Sequence, residues 1–167
     1  GLFPPTHELA AQKVLRSLDK HAQDFISRSP FLCIGTQDAK GKADVSPRGD
    51  PAGFVQVLDD KTLAIPDRPG NNRLDTLANI LANPKVGLLF IIPGFDDTLR
   101  INGQAQLVTD PELLESMAMN GRAPKPGSIS IMKTQFPFLG YGTGRAVMPP
   151  EMAPVKISII RPRPKPL

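Results

Sequence analysis

The stretch "KVGLLFIIPGFDDTLRINGQAQLV", Lys85 to Val108, constrains the fold more than any other part of the chain. Its first portion is a β-rich apolar run, as a strand buried on both faces would be. Its last portion alternates: Leu99, Ile101, Ala105 and Leu107 face one way, Arg100, Asn102, Gln104 and Gln106 the other. The polar side is either wet or turned toward a ligand. Between the two portions "PGFDD" turns the chain back, so the strands are antiparallel neighbours.

Upstream the same grammar repeats. "FLCIGTQ", the turn "DAKGK" and "ADVSP" form one hairpin, and "GFVQVL", "DDK" and "TLAIP" form a second. Thr6 can cap a helix, and Ala11, Val14, Leu15, Leu18, Ala22, Phe25 and Ile26 fall at spacings of three and four, which predicts one amphipathic helix from roughly Thr6 to Ser27. Arg73 to Ala82 reads as a short helix with Leu74, Leu77, Ile80 and Leu81 on one side, stopped by Asn83-Pro84. "DPELLESMAMNG" has Asp110 as a cap, Pro111 in the first turn and an end at Asn120-Gly121. Beyond Gly121 prolines and glycines crowd the chain, and only "VKISII" looks like another strand. Six antiparallel strands with peripheral helices make an α+β domain, and hairpins throughout favour a small barrel over a doubly wound sheet.

The 167 residues, 40% hydrophobic and 22% charged, suit one domain spanning 1–167, with the part from about 126 poorly assigned. No apolar run approaches the length of a membrane span and "GLFPPTHELAAQK" lacks the order of a secretion signal, so a soluble, cytoplasmic protein with no membrane partner is expected. The single cysteine, Cys33, has no internal disulfide partner and is expected to be buried and structural. Of the net charge of +4, three charges come from Arg161, Arg163 and Lys165 in "RPRPKPL", leaving a nearly neutral body. That argues against nucleic acid, which needs clustered cations across a face. No Ser/His/Asp set, metal-spaced His/Cys cluster or Walker-type glycine loop can be assembled.

Two junctions carry residues suited to an anion. In "PDRPGNNR", Asn72 can cap the helix near Arg73, Gly70 allows close backbone approach, and Arg68 and Arg73 bring guanidinium groups. Taken alone, the loop favours the ordinary reading, a capped helix with solvated arginines. In "ADVSPRGDPAGF", Ser46 and Arg48 can reach a phosphate or a polar ring edge, or simply decorate a surface loop. The tripeptide Arg48-Gly49-Asp50 also matches a cell-adhesion signal, a match too short to carry a function.

Taken in order, "SPRGD", "PDRPGNNR", "NILANPKVGLLF" and "TLRINGQA" resemble flavoproteins of the pyridoxamine 5'-phosphate oxidase-like superfamily, the FMN-binding split barrels, from about Ala11 to Lys125. The resemblance implies a split β-barrel and a homodimer with FMN at the subunit interface. It makes Arg48 and Arg73 partners of the FMN phosphate, with Asn71 and Asn72 supplying amide or backbone donors. Ser46, Gly49, Pro66 and Asp67 would lie at the edge of the isoalloxazine, and Arg100 joins as a further candidate from the polar strand face. Authentic oxidases grip substrate with an arginine and a histidine near the C-terminus, whereas both histidines here, His7 and His21, lie near the N-terminus, so that specific activity is not expected.

The implied activity is that of an FMN-dependent oxidoreductase moving a hydride between the flavin and a small substrate. A carrier or sensor of a flavin, deazaflavin or haem is the alternative. The proline-basic tail offers a third: a segment that docks a partner as an extended helix, or stays disordered.

Overall fold

The computed structural model describes residues 17–68, 74–119, 121, 123–124, 129–133 and 139–140. The first described helix, α1 (Lys20–Arg28), is capped by Asp19, whose side chain accepts from the Ala22 N–H at 2.8 Å. A helix therefore starts here rather than running through from Thr6, because a capping aspartate with extended backbone satisfies the orphan donors of a new first turn. Thr6 itself lies outside the described residues.

Strand β1 (Phe31–Gln37) pairs antiparallel with β2 (Ala43–Gly49), Phe31 opposite Gly49. In their turn the Asp38 carboxylate accepts from the N–H groups of Lys40 and Lys42, each at 2.8 Å, and Gly41 takes a φ of 84°. The second hairpin joins β3 (Gln56–Asp59) to β4 (Thr62–Pro66), and β4 is buried along its whole length. Helix α2 (Asp75–Ala82) leads into β5 (Lys85–Ile91), which pairs with β6 (Thr98–Val108) as expected. Helix α3 (Pro111–Ser116) follows, with the Asp110 carboxylate accepting from the Leu113 N–H at 2.8 Å.

Two further strands, β7 (Ile129–Lys133) and β8 (Leu139–Gly140), lie where the sequence offered no strand. "VKISII" lies outside the described residues. The described sheet thus has eight strands rather than six, in the order β2-β1-β5-β6-β7-β4-β3 with β8 also on β6. β7 pairs with both β4 and β6, so it alone joins the β3–β4 hairpin to the rest of this ordered sheet. One side of the eleven-residue β6 is shared: β7 pairs with residues 104–108 and β8 with 100–101.

The main core gathers Ala22 and Ile26 of α1 against Leu32, Leu63, Phe90 and Ile101 of the sheet, all fully buried. A smaller cluster seats Leu114 and Met117 on Ala64. β5 is not buried on both faces: Val86, Leu88 and Phe90 enter the core while Gly87, Leu89 and Ile91 are half-exposed, because α1 covers only one side of the sheet. By the same alternation Cys33 points to the second face and is half-exposed rather than buried.

Both later helices depart from expectation. α2 buries Thr76 and Ile80, and leaves Leu74 and Leu81 at 59% and 75% exposure. Of the expected apolar side, Ile80 is thus buried and Leu77 half-buried, and the Asn79 amide donates to the Thr36 hydroxyl at 3.0 Å on the inward side. α3 stops at Ser116 instead of Asn120, with Met117 at its C-cap. No helix among the described residues is long and apolar enough to cross a membrane.

Candidate functional site

β2 and β4 stand first and sixth in the sheet order, yet the residues that end them meet. Alternation places Asp44, Ser46 and Arg48 of β2 on the side that faces Thr36, Ile34 and Leu32 of β1. Because β2 is an edge strand, these side chains stay half-exposed while pointing toward the interior of the curved sheet. β4 ends at Pro66, which is fully buried, and delivers Asp67 and Arg68 to the same rim.

Two ion pairs cross the gap. An Arg48 Nη2 lies 3.4 Å from Asp67 Oδ1, and Arg68 Nε donates to Asp50 Oδ2 at 2.7 Å. Each motif thus supplies one arginine and one aspartate, and each arginine faces the other motif's carboxylate. The sheet is not laddered across this gap: side-chain charges close it instead of backbone hydrogen bonds.

The guanidinium groups are held differently. Arg68 Nη2 also donates to the Met117 carbonyl at 3.0 Å, tying the end of α3 to the rim. The contact supplies a donor to a carbonyl at the helix end, where intrahelical donors run out. Arg48 Nη1 donates to Ser46 Oγ at 2.8 Å and to the Pro47 carbonyl at 3.2 Å, both local partners that fix the guanidinium plane on its own strand. Its other nitrogen has the longer contact to Asp67. Burial raises the Asp67 carboxyl above its ordinary range, and the nearby Arg48 partly opposes that shift.

Of the residues expected at a site, Ser46, Arg48 and Asp67 come together here, with Gly49 beside them on the exposed edge. Ser46 and Asp67 both lie against the Arg48 guanidinium. Pro66 is fully buried and has no N–H to donate. Arg100 is not part of the cluster: its β6 position aligns with Leu89, Cys33 and Pro47, the face opposite to that of Arg48. There, burial lowers its pKa.

Asn71, Asn72 and Arg73 lie outside the described residues. The N-cap position of α2 is occupied by Leu74, with no side-chain cap, rather than by Asn72. Asp50 is not among the residues expected at the site, and Arg68, a possible anion donor by sequence, pairs with Asp50 and the Met117 carbonyl. The signal available was the complementary order of charges, Arg-Gly-Asp in one motif and Asp-Arg in the other. The pairing also removes the adhesion reading's basis, because Arg48 and Asp50 are both engaged within the fold.

Chemically, the cluster combines a pre-oriented guanidinium, a hydroxyl and a loosely held counter-charge at a half-exposed rim, a donor set that suits the oxygens of a phosphate monoester. An open groove between α1 and the β3 edge, about 530 Å³ and lined by Lys20, Asp24 and Val57 among others, shares none of these residues.

The fold has solved counterparts. HupZ from Group A Streptococcus superposes with a TM-score of 0.56 at 22% identity, covering 72% of this chain and 92% of that one. A putative pyridoxamine 5'-phosphate oxidase from Lactobacillus delbrueckii gives 0.54 at 17% identity, covering 74% and 94%. An FMN-binding protein from Syntrophomonas wolfei gives 0.54 at 11%, covering 78% and 88%. At these identities the likeness is one of fold. A search of curated proteins returns no match. The family model described as pyridoxamine 5'-phosphate oxidase matches residues 18–136, which extends the likeness through β7. With most of its length matched and the split-barrel sheet in place, the chain belongs to the pyridoxamine 5'-phosphate oxidase family.

Proposed function

We propose that this protein binds FMN and works as an oxidoreductase, transferring a hydride between the flavin and a small substrate. The observation that supports this reading most is the meeting of Ser46, Arg48 and Asp67 across the split, where an oriented guanidinium and a hydroxyl share one rim. Arg48 holds the phosphate, with Ser46 beside it, and Arg73, Asn71 and Asn72 complete the phosphate site. Gly49 and the backbone around Pro66 and Asp67 border the flavin. Arg100, on the opposite sheet face, is the residue of the set with least support.

FMN supplies the redox chemistry when bound; the residues of this chain bind its phosphate, orient it and shape its surroundings. The donors gathered at the rim are those of a phosphate site, whereas the one described histidine, His21, is exposed on α1, which favours flavin over haem. A second copy of the chain would cover the sheet's second face and α2, where Val45 is 68% exposed and Leu74 and Leu81 stand out from the helix. A cytoplasmic homodimer follows as part of the same reading.

An absorbance spectrum of the purified protein, with mass spectrometry of any released chromophore, tests the cofactor: flavin bands and the mass of FMN are expected. Colourless protein that takes up no FMN on titration overturns the reading. Anaerobic mixing with a nicotinamide donor then separates enzyme from carrier, since a carrier binds flavin tightly and shows neither reduction nor substrate-dependent reoxidation.

A further inference from the structure

We propose that Asp67 is the resident counter-anion of Arg48, which a phosphate monoester displaces on entry, and that among anions it thereby favours a phosphate dianion over a single carboxylate. The inference rests on the reading of this rim as the phosphate end of the FMN site and names what governs admission to it.

Three features carry it. First, the 3.4 Å separation of Arg48 and Asp67 exceeds the roughly 2.7–2.9 Å of a charge-assisted hydrogen bond, so attraction without a directional bond holds the pair. Second, the guanidinium does not depend on Asp67 for its position, because Ser46 Oγ and the Pro47 carbonyl hold the other terminal nitrogen. Third, the chain bearing Asp67 is anchored independently of it: Pro66 is buried on one side, and Arg68 is tied to Asp50 and Met117 on the other. Departure of the Asp67 side chain from Arg48 thus disturbs neither the cation nor the strand end.

Among the described residues, the charged groups around Asp67 are Arg48 from β2 and the neighbouring Asp50–Arg68 pair, which is internally neutralised. A singly charged carboxylate offers Arg48 no more than Asp67 already supplies, whereas a phosphate dianion carries more charge and more acceptor oxygens. Once phosphate holds Arg48, Asp67 loses the cation that lowers its pKa and gains an anionic neighbour. Its carboxyl, already raised by burial, is drawn toward the protonated form, so ligand entry is linked to proton uptake.

The test titrates FMN and riboflavin, which lacks the phosphate, into wild type, Asp67→Asn and Asp67→Glu by flavin fluorescence quenching. Thermal unfolding checks the fold, and Asp67→Ser is the second charge-removing variant should Asp67→Asn fail to fold. Removing the charge is expected to tighten FMN about three- to tenfold. The tightening does not extend to riboflavin; Asp67→Glu, which keeps the charge, shows none of it, and acetate competes with FMN only when the charge is gone. Unchanged or weaker FMN binding by folded Asp67→Asn overturns the inference while leaving the FMN site intact. A wild type that binds riboflavin as well as FMN, or neither, instead defeats the phosphate reading and this inference with it.

Discussion

The Asp50–Arg68 and Asp67–Arg48 pairs cross the same gap, use the same residue types and are similarly shielded, with side-chain exposures of 18% and 24% against 25% and 22%. Their contact lengths are 2.7 Å and 3.4 Å. Coulomb attraction falls inversely with distance, so that term differs between them by only about a quarter. What separates them is directional bonding. Arg68 donates from two nitrogens to two other chain segments, whereas Arg48 spends its hydrogen bonds on its own strand. One pair therefore clips the barrel and the other occupies a cation at its rim. Identical charges across one gap thus divide into a structural element and a replaceable one.

The largest effect expected from breaking this contrast is on binding. Arg48→Ala should weaken FMN by about 2 to 3 kcal/mol, the loss typical of one charge-assisted partner, while the fold persists. Flavin content and a titration measure it; unchanged affinity counts against the site. Next comes Arg68→Met, which leaves Asp50 and the Met117 carbonyl without this donor and should lower stability by about 2 kcal/mol in urea unfolding. If Arg68→Met costs no more stability than Arg48→Met, the two pairs do not differ as described.

A double-mutant cycle sharpens the point: a coupling of about 1 kcal/mol is expected between Asp50 and Arg68, and under about 0.5 kcal/mol between Asp67 and Arg48. The smallest effect concerns pH. The Asp67 carboxyl takes its proton at higher pH in the folded chain than in the unfolded one, whose reference value is 3.8. Its contribution to stability therefore falls as pH rises from that value through the raised folded pKa. Asp67→Asn should flatten that part of the stability profile; an opposite slope would mean that attraction to Arg48 outweighs burial.

Much of the fold was legible because strand and turn patterns are local. The hairpins β1–β2, β3–β4 and β5–β6 could be read from alternation and turn residues, and Asp110 could be read as a cap. β7 was not legible, since five residues set among prolines and glycines carry too little periodicity, and its pairing with β4 and β6 is entirely non-local. The inward face of α2 was legible in part. Ile80 is buried as the apolar spacing suggests, whereas Leu74 and Leu81 stay exposed and Thr76 is buried beside the Asn79–Thr36 contact with β1.

The candidate site divides along the same line. Local composition marked Ser46, Arg48 and Asp67 as chemistry-bearing residues, and the order of their motifs pointed to the family. Only the tertiary structure decided which arginine faces which aspartate, that Arg100 belongs to the other face, and that Arg68 is a clip. Residue types and short-range periodicity are properties of the chain itself. The partners of a charge are set by the curvature that brings the first and sixth strands of a sheet to one rim, and no window of sequence contains both.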